Sequence, residues 1–173
     1  LSWARAMGGS LSCGRRRQAT TAAAEPPELL KQEQRERAIA TALEAKRLGN
    51  EEFKEKDFEK ALELYKSSAE LNKEDPSIWL NLSIVKRQLG DHGGAAKDAW
   101  IAIQLDGSNP KAYYSKAAAL RQLGDPQGAL EACQMGLRKV HDNKAQALQQ
   151  MRLELEKELA PKSLLEQLSA APK

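Results

Sequence analysis

The sequence predicts an all-α protein built from three stacked helical hairpins, because a pattern repeats every 34 residues. The pentapeptide RQLGD occurs at Arg87–Asp91 and again, 34 residues later, at Arg121–Asp125. A period near 34 is typical of stacked helical hairpins. Small residues, which let antiparallel helices approach closely, recur at three positions of the units 42–75, 76–109 and 110–143: Gly49, Ser83 and Ala117; Ala61, Ala95 and Ala129; Ser68, Ala102 and Gly136.

Capping residues predict where the helices begin and end. Asp75–Pro76 and Asn109–Pro110 each place a side-chain acceptor before a proline at the first helical position. Gly90–Asp91 and Gly124–Asp125 predict the turn inside a hairpin, because Gly adopts positive φ at a helix C-terminus and Asp caps the next helix. In the first unit Lys56–Asp57 takes that place without a glycine.

Two segments precede the repeats. Residues 1–25 form a basic tail, of which the first 24 hold four arginines and no acid. This composition is typical of a mitochondrial or plastid transit peptide. The alternative is a disordered basic extension of a cytoplasmic protein, so the compartment stays open between the two. Residues 26–41 are a charged, helix-favouring lead-in, which we expect to run into the first repeat helix.

Residues 144–173 are predicted to form a capping helix and a tail. Leu148, Met151, Leu155 and Leu159 follow one another at steps of three and four, which places them on one face of a helix. Such an apolar stripe is suited to cover the open end of a helical stack. The segment KSLLEQL at 162–168 predicts a short second helix.

Composition disfavours several classes of function. The cysteines and histidines are isolated and lack metal-ligand spacing, so we expect free thiols, no metal and no cofactor: Cys13, Cys133, His92 and His141. The 41 residues before the repeats are too polar for a catalytic domain, and the 30 after them are too few. We therefore expect no enzyme, unless a catalytic region lies outside this sequence.

Residues 25–173 hold 23 basic and 24 acidic side chains, a balance that disfavours nucleic-acid binding. No stretch approaches the roughly 18 apolar residues of a membrane span.

The 34-residue period, with Trp79, Leu82 and Ala95, resembles the tetratricopeptide repeat family across residues 42–143, which are 102 of the 173 residues. The resemblance implies a right-handed superhelical stack of three hairpins, with the first helix of each hairpin lining a concave groove. It also implies a protein-interaction domain without catalysis, which we expect to be a monomer.

Position in the repeat indicates which side chains face this groove, and most of them are basic or carry an amide. The groove residues so predicted are Lys46, Asn50, Asn81, Arg87, Lys111, Tyr114, Ser115 and Arg121. Ammonium and carboxamide groups suit the capture of a peptide carboxylate.

Four of these residues, in the motifs KRLGN, WLNLS and KAYYSKAAAL, resemble the carboxylate clamp of tetratricopeptide cochaperones: Lys46, Asn50, Asn81 and Lys111. The resemblance implies that the partner is a protein with an acidic C-terminal peptide. In the family this peptide is the Glu-Glu-Val-Asp tail of a seventy- or ninety-kilodalton heat-shock chaperone.

Ser115 departs from the family pattern, which has Arg or Lys one turn after Lys111. A charge-assisted hydrogen bond contributes roughly 1.5–3 kcal/mol, so its loss weakens binding by about one to two orders of magnitude. Ser115 keeps one neutral hydrogen bond, and Arg87 is a candidate to supply charge instead.

The alternative function is an assembly scaffold in a mitochondrial or plastid complex, with a degenerate clamp. Base-reading helical repeats are disfavoured, because those repeats come in long arrays.

Overall fold

The computed structural model describes residues 27–140 and 145–160, and these residues form seven α-helices without any strand. The helices are α1 (Pro27–Lys54), α2 (Phe58–Leu71), α3 (Pro76–Gln88), α4 (His92–Leu105), α5 (Pro110–Gln122), α6 (Pro126–Lys139) and α7 (Gln146–Leu159). Three hairpins, α1/α2, α3/α4 and α5/α6, stack in chain order and α7 packs on the last. The predicted all-α stack is confirmed. The predicted basic tail and the helix at 162–168 lie outside the described residues.

Side-chain caps begin five of the helices. The carboxylate or amide oxygen of each cap accepts a backbone N–H two or three residues later: Asp57 from Lys60, Asp75 from Ser77, Asp91 from Gly94, Asn109 from Lys111 and Asp125 from Gly128. At the hairpin turns Gly90 and Gly124 have φ of 83° and 81°, as predicted. Lys56 adopts the same left-handed conformation, with φ of 63°.

The nine small residues of the repeat are all buried between helices. A Cβ atom added to Gly49 on α1 would lie 2.7 Å from Cε1 of Tyr65 on α2. A Cβ atom added to Gly136 on α6 would lie 2.8 Å from Cβ of Tyr113 on α5. Both distances are shorter than carbon atoms tolerate, so glycine at these two positions sets the helix separation within the first and third hairpins.

The core consists of two clusters that meet at Trp79. One lies between the first two hairpins and is centred on Tyr65, Ile78 and Val85. The other runs from α3 to α7 and contains Tyr113 and the buried free cysteine Cys133. Helix α7 closes it with Leu148, Met151 and Leu155, whereas Leu159, also predicted for this stripe, is 37% exposed. None of the described helices is long and apolar enough to cross a bilayer.

Candidate peptide-binding groove

A cluster of polar side chains lies where α1 meets the start of α3. Lys46 Nζ is 2.7 Å from Asp75 Oδ2 and 3.0 Å from Ser77 Oγ. The Lys46 and Asp75 side chains are only 22% and 19% exposed. Asp75 Oδ1 accepts from both the amide and the hydroxyl of Ser77, so the carboxylate that caps α3 also orients the Lys46 ammonium.

The Asp75 carboxylate stays ionised because of these bonds. Its burial by itself raises the pKa, but the hydrogen bonds from Lys46 and Ser77 outweigh burial and hold the pKa below its usual value. An ionised carboxylate therefore already lies against the Lys46 ammonium in the folded chain.

Asn50 is the centre of a second polar contact. Its Oδ1 accepts from Tyr65 Oη at 2.7 Å and from Asn81 Nδ2 at 3.1 Å. Burial raises the pKa of Tyr65 to about 12, so the hydroxyl keeps its proton at neutral pH and remains a donor. Because both contacts use the Asn50 oxygen, its Nδ2 hydrogens are left to donate to a ligand.

The structure thus brings Lys46, Asn50 and Asn81 together beside α3. Sequence reasoning missed Tyr65 as a partner of Asn50. It recognised Asp75 only as a cap, not as a partner of Lys46. The Lys46–Asp75 contact joins residues 29 positions apart and crosses between hairpins, so no local spacing rule reveals it.

Lys111 and Tyr114 lie on the first turns of α5, at a separate small pocket. Lys111 is exposed and Tyr114 is 37% exposed. They line a cavity of about 100 Å³ that Pro110, Ala147 and Leu148 complete. The lining is mainly apolar, with the Lys111 ammonium as its cation.

The other three predicted groove residues have different surroundings. Ser115 is 3% exposed, and its Oγ is 2.6 Å from Ser83 Oγ, so this side chain ties α3 to α5. Arg121 donates to Glu154 and Glu158 and thereby fixes α7 to α5. Arg87 is half-buried, and within the described part of the chain its Nε has no hydrogen-bond partner.

Two curated relatives show what the sequence is similar to. Human serine/threonine-protein phosphatase 5 is 34% identical over 126 residues, which cover 72% of this chain and 25% of the phosphatase. Small glutamine-rich tetratricopeptide repeat-containing protein 2 of Mycosarcoma maydis is 35% identical over 99 residues, 57% of this chain and 28% of that protein. The chain spans about a quarter of the length of these relatives. No family model matches it.

Solved structures show the fold. The first TPR of Spaghetti (RPAP3) bound to the HSP90 peptide SRMEEVD has a TM-score of 0.66 and 23% identity, covering 71% of this chain and 96% of that one. The second TPR of the same protein, bound to the same peptide, has a TM-score of 0.62 and 26% identity, covering 65% and 97%. The TPR2B-domain:pHsp70-complex of yeast Sti1 has a TM-score of 0.65 and 24% identity, covering 69% and 98%. The chain therefore has the fold of a tetratricopeptide-repeat domain, with three stacked hairpins and a C-terminal helix packed on the last of them.

Proposed function

We propose that this chain is a non-enzymatic adaptor that binds the acidic C-terminal peptide of a partner protein, a heat-shock chaperone tail. One observation carries the proposal: the Lys46 ammonium lies at the same junction of α1 and α3 as the Asn50–Asn81 amide pair, and its bonds to Asp75 and Ser77 leave one of its three N–H donors over. The solved repeat domains with peptides of HSP90 and Hsp70 support the same partner class.

The binding would be a set of charge-assisted hydrogen bonds without a covalent step. A lysine ammonium has three N–H donors. Asp75 and Ser77 accept two of them from Lys46, so the third is left for the terminal carboxylate of a peptide. The Nδ2 group of Asn50 donates to the same carboxylate, and Asn81 supplies its remaining amide hydrogen.

Lys111 would bind an acidic side chain further back in the peptide, with Tyr114 and Arg87 flanking the path. We assign no peptide contact to Ser115, which is only 3% exposed, or to Arg121, because all three of its guanidinium nitrogens bind Glu154 or Glu158. The Asp75 carboxylate repels an incoming anion. In addition, Ser115 stands where the family's clamp has a basic residue. For both reasons we expect weaker binding than a clamp with a fifth, basic member would give.

The first test is fluorescence anisotropy with a labelled SRMEEVD peptide and its C-terminally amidated form. We expect Lys46→Ala and Lys111→Ala each to weaken binding by about tenfold or more, since each removes a charge-assisted hydrogen bond. Amidation should have a similar effect, and added salt should weaken the wild-type complex. Lys97→Ala, at an exposed lysine on α4, is the matched control and should leave affinity unchanged.

Affinity that is indifferent to amidation, or an equal loss in Lys97→Ala, would overturn the chaperone-tail proposal. The second candidate function, an assembly scaffold in a mitochondrial or plastid complex, would then be favoured. The engagement of Ser115 by Ser83, which leaves no fifth clamp member, supports that candidate. N-terminal sequencing of the protein from isolated organelles tests the accompanying transit-peptide prediction for residues 1–25.

A further inference from the structure

A crevice of about 200 Å³ opens where α2 meets α3. Its lining is mainly apolar, with a floor formed by Ala69, Trp79 and Leu82 and a rim that carries Lys66, Lys73 and Lys86. Trp79 Nε1 donates to the Lys73 carbonyl at 3.0 Å. The polar edge of the indole is therefore satisfied, and its face is left to form part of the floor.

The crevice is distinct from the proposed peptide groove. Each residue turns an α-helix by about 100°. Viewed down the axis of α3, Leu82 therefore lies about 100° from Asn81. Trp79 and Lys86 lie about 160° and 140° from Asn81 in the same view. A ligand in the crevice would contact neither Lys46 nor Lys111, the two lysines proposed for the clamp.

The next junction, where α4 meets α5, has the same register, and there a tryptophan of the chain itself lies against a lysine. Thirty-four residues after Lys66 and Leu82 stand Trp100 and Lys116. The Lys116 Nζ lies 4.1 Å from the centroid of the Trp100 ring. Burial lowers the pKa of Lys116, against the opposing effect of Glu131, which is consistent with an ammonium covered by the indole. Helix α4 also packs more extensively on α5 than α2 does on α3.

We propose that the crevice between α2 and α3 binds an aromatic side chain of a partner protein, next to an acidic residue. The ring would take the place that Trp100 takes at the following junction. A cavity of about 150 Å³ accommodates a benzene ring, so the crevice is large enough for one aromatic side chain.

Charge and ring chemistry select this occupant. Lysine ammonium groups are attracted to the face of an aromatic ring, and the Trp79 ring offers a stacking partner. Lys86 is paired with Asp98 at 2.7 Å, whereas Lys66 and Lys73 are exposed. With Asp98 included, three rim lysines face two acids, Glu70 and Asp98, so the rim keeps a net positive charge that favours a carboxylate beside the aromatic residue.

The probe is the blocked tripeptide acetyl-Glu-Trp-Glu-amide, titrated into the ¹⁵N-labelled chain and followed by NMR. Because it has no terminal carboxylate, its binding to the crevice can be distinguished from capture of a C-terminus by the proposed clamp. We expect amide shifts to centre on Ala69, Leu82 and their neighbours. Acetyl-Glu-Ala-Glu-amide should bind at least about tenfold more weakly, because the buried ring is lost. Acetyl-Gln-Trp-Gln-amide should bind severalfold more weakly than the glutamate peptide.

The decisive variant is Lys66→Trp. It places a tryptophan at the junction of α2 and α3, in the position that Trp100 occupies at the junction of α4 and α5. It should fill the crevice and abolish the shifts while leaving the thermal unfolding temperature unchanged or higher. Lys97→Trp makes the same substitution on α4 and should bind the probe as the wild type does. Undiminished binding by Lys66→Trp, shifts centred on Lys46 and Lys111, or no shifts at millimolar probe would each overturn the proposal. Equal binding of the three peptides would also overturn it.

Discussion

The first and third hairpins solve the same steric problem with exchanged residues. In the first, a glycine on α1, Gly49, faces the ring of Tyr65 on α2. In the third, the tyrosine is on the first helix and the glycine on the second, as Tyr113 and Gly136. One small and one large residue thus bring the helices together in either order, so the repeat fixes the pairing of sizes rather than the residue at one position.

The two hairpins differ in where their polar groups are directed. The polar side chains of the first hairpin bind one another, as Tyr65 does Asn50. They also bind the second hairpin, through Lys46–Asp75 and Asn50–Asn81. In the third, Arg121 binds Glu154 and Glu158 and so holds the capping helix. The first hairpin therefore carries most of the proposed carboxylate site, while the third hairpin holds α7, the helix that closes the stack.

The largest expected effect tests the exchanged glycines. Gly136→Ala should lower the free energy of unfolding by about 2–3 kcal/mol, near the upper end of overpacking costs. Gly49→Ala should cost less, about 1–2 kcal/mol. The reason is that in Gly136→Ala the new methyl meets Cβ of Tyr113, which is fixed to the backbone. In Gly49→Ala it meets the Cε1 edge of the Tyr65 ring, which can shift slightly at the expense of its hydrogen bond to Asn50. Urea unfolding followed by circular dichroism measures both, and equal losses would contradict this account.

The second prediction compares the polar contacts between successive hairpins. Ser115→Ala leaves the Ser83 hydroxyl buried without its partner and should cost about 1–2 kcal/mol of unfolding free energy. Asn81→Ala removes a contact of the exposed Asn50 side chain, where water replaces it, and should cost under about 0.5 kcal/mol. Peptide affinity should show the opposite order, falling in Asn81→Ala and not in Ser115→Ala. A loss of affinity in Ser115→Ala without a loss of stability would place its hydroxyl on the ligand.

Sequence alone was sufficient for the features that local chemistry sets. The Asp75 and Asn109 caps and the positive φ of Gly90 depend on neighbouring residues, and the 34-residue period is visible in the sequence itself. Burial of the small residues also followed, because only close helix packing requires them.

Contacts between hairpins could not be predicted in the same way. The burial of Ser115 depends on how α3 lies against α5, and the Arg121 contacts depend on the docking of α7. Each joins residues more than 30 positions apart, with no repeat rule to relate them. The predicted position of a side chain in the repeat was therefore not enough to show whether it is available to a ligand.

The third prediction concerns Asp75→Asn, which gives α3 the same type of capping residue that α5 has. Asn109 caps α5 where Asp75 caps α3, so Asp75→Asn keeps a cap and removes the ion pair with Lys46. We expect a loss of about 1 kcal/mol at pH 7. Because folding lowers the pKa of Asp75, its contribution is present above the unfolded pKa of about 3.9. It should disappear as the pH falls through the lower, folded pKa. Urea unfolding as a function of pH should show wild type and variant converging in acid; a constant difference would contradict the role of the ion pair.

The smallest effect concerns the hairpin turns. Gly90 and Gly124 adopt positive φ, and in the first hairpin Lys56 has φ of 63° although its Cβ disfavours that region. In all three turns the next residue, an aspartate, donates its backbone N–H to the carbonyl five residues earlier, so the geometry required is the same. Lys56→Gly should therefore raise the unfolding free energy by about 0.5 kcal/mol, since relief of the strain exceeds the added chain entropy of glycine. Gly124→Ala is the converse control and should lower it. If Lys56→Gly destabilised the chain, the lysine side chain would be contributing more at this turn than its backbone strain costs.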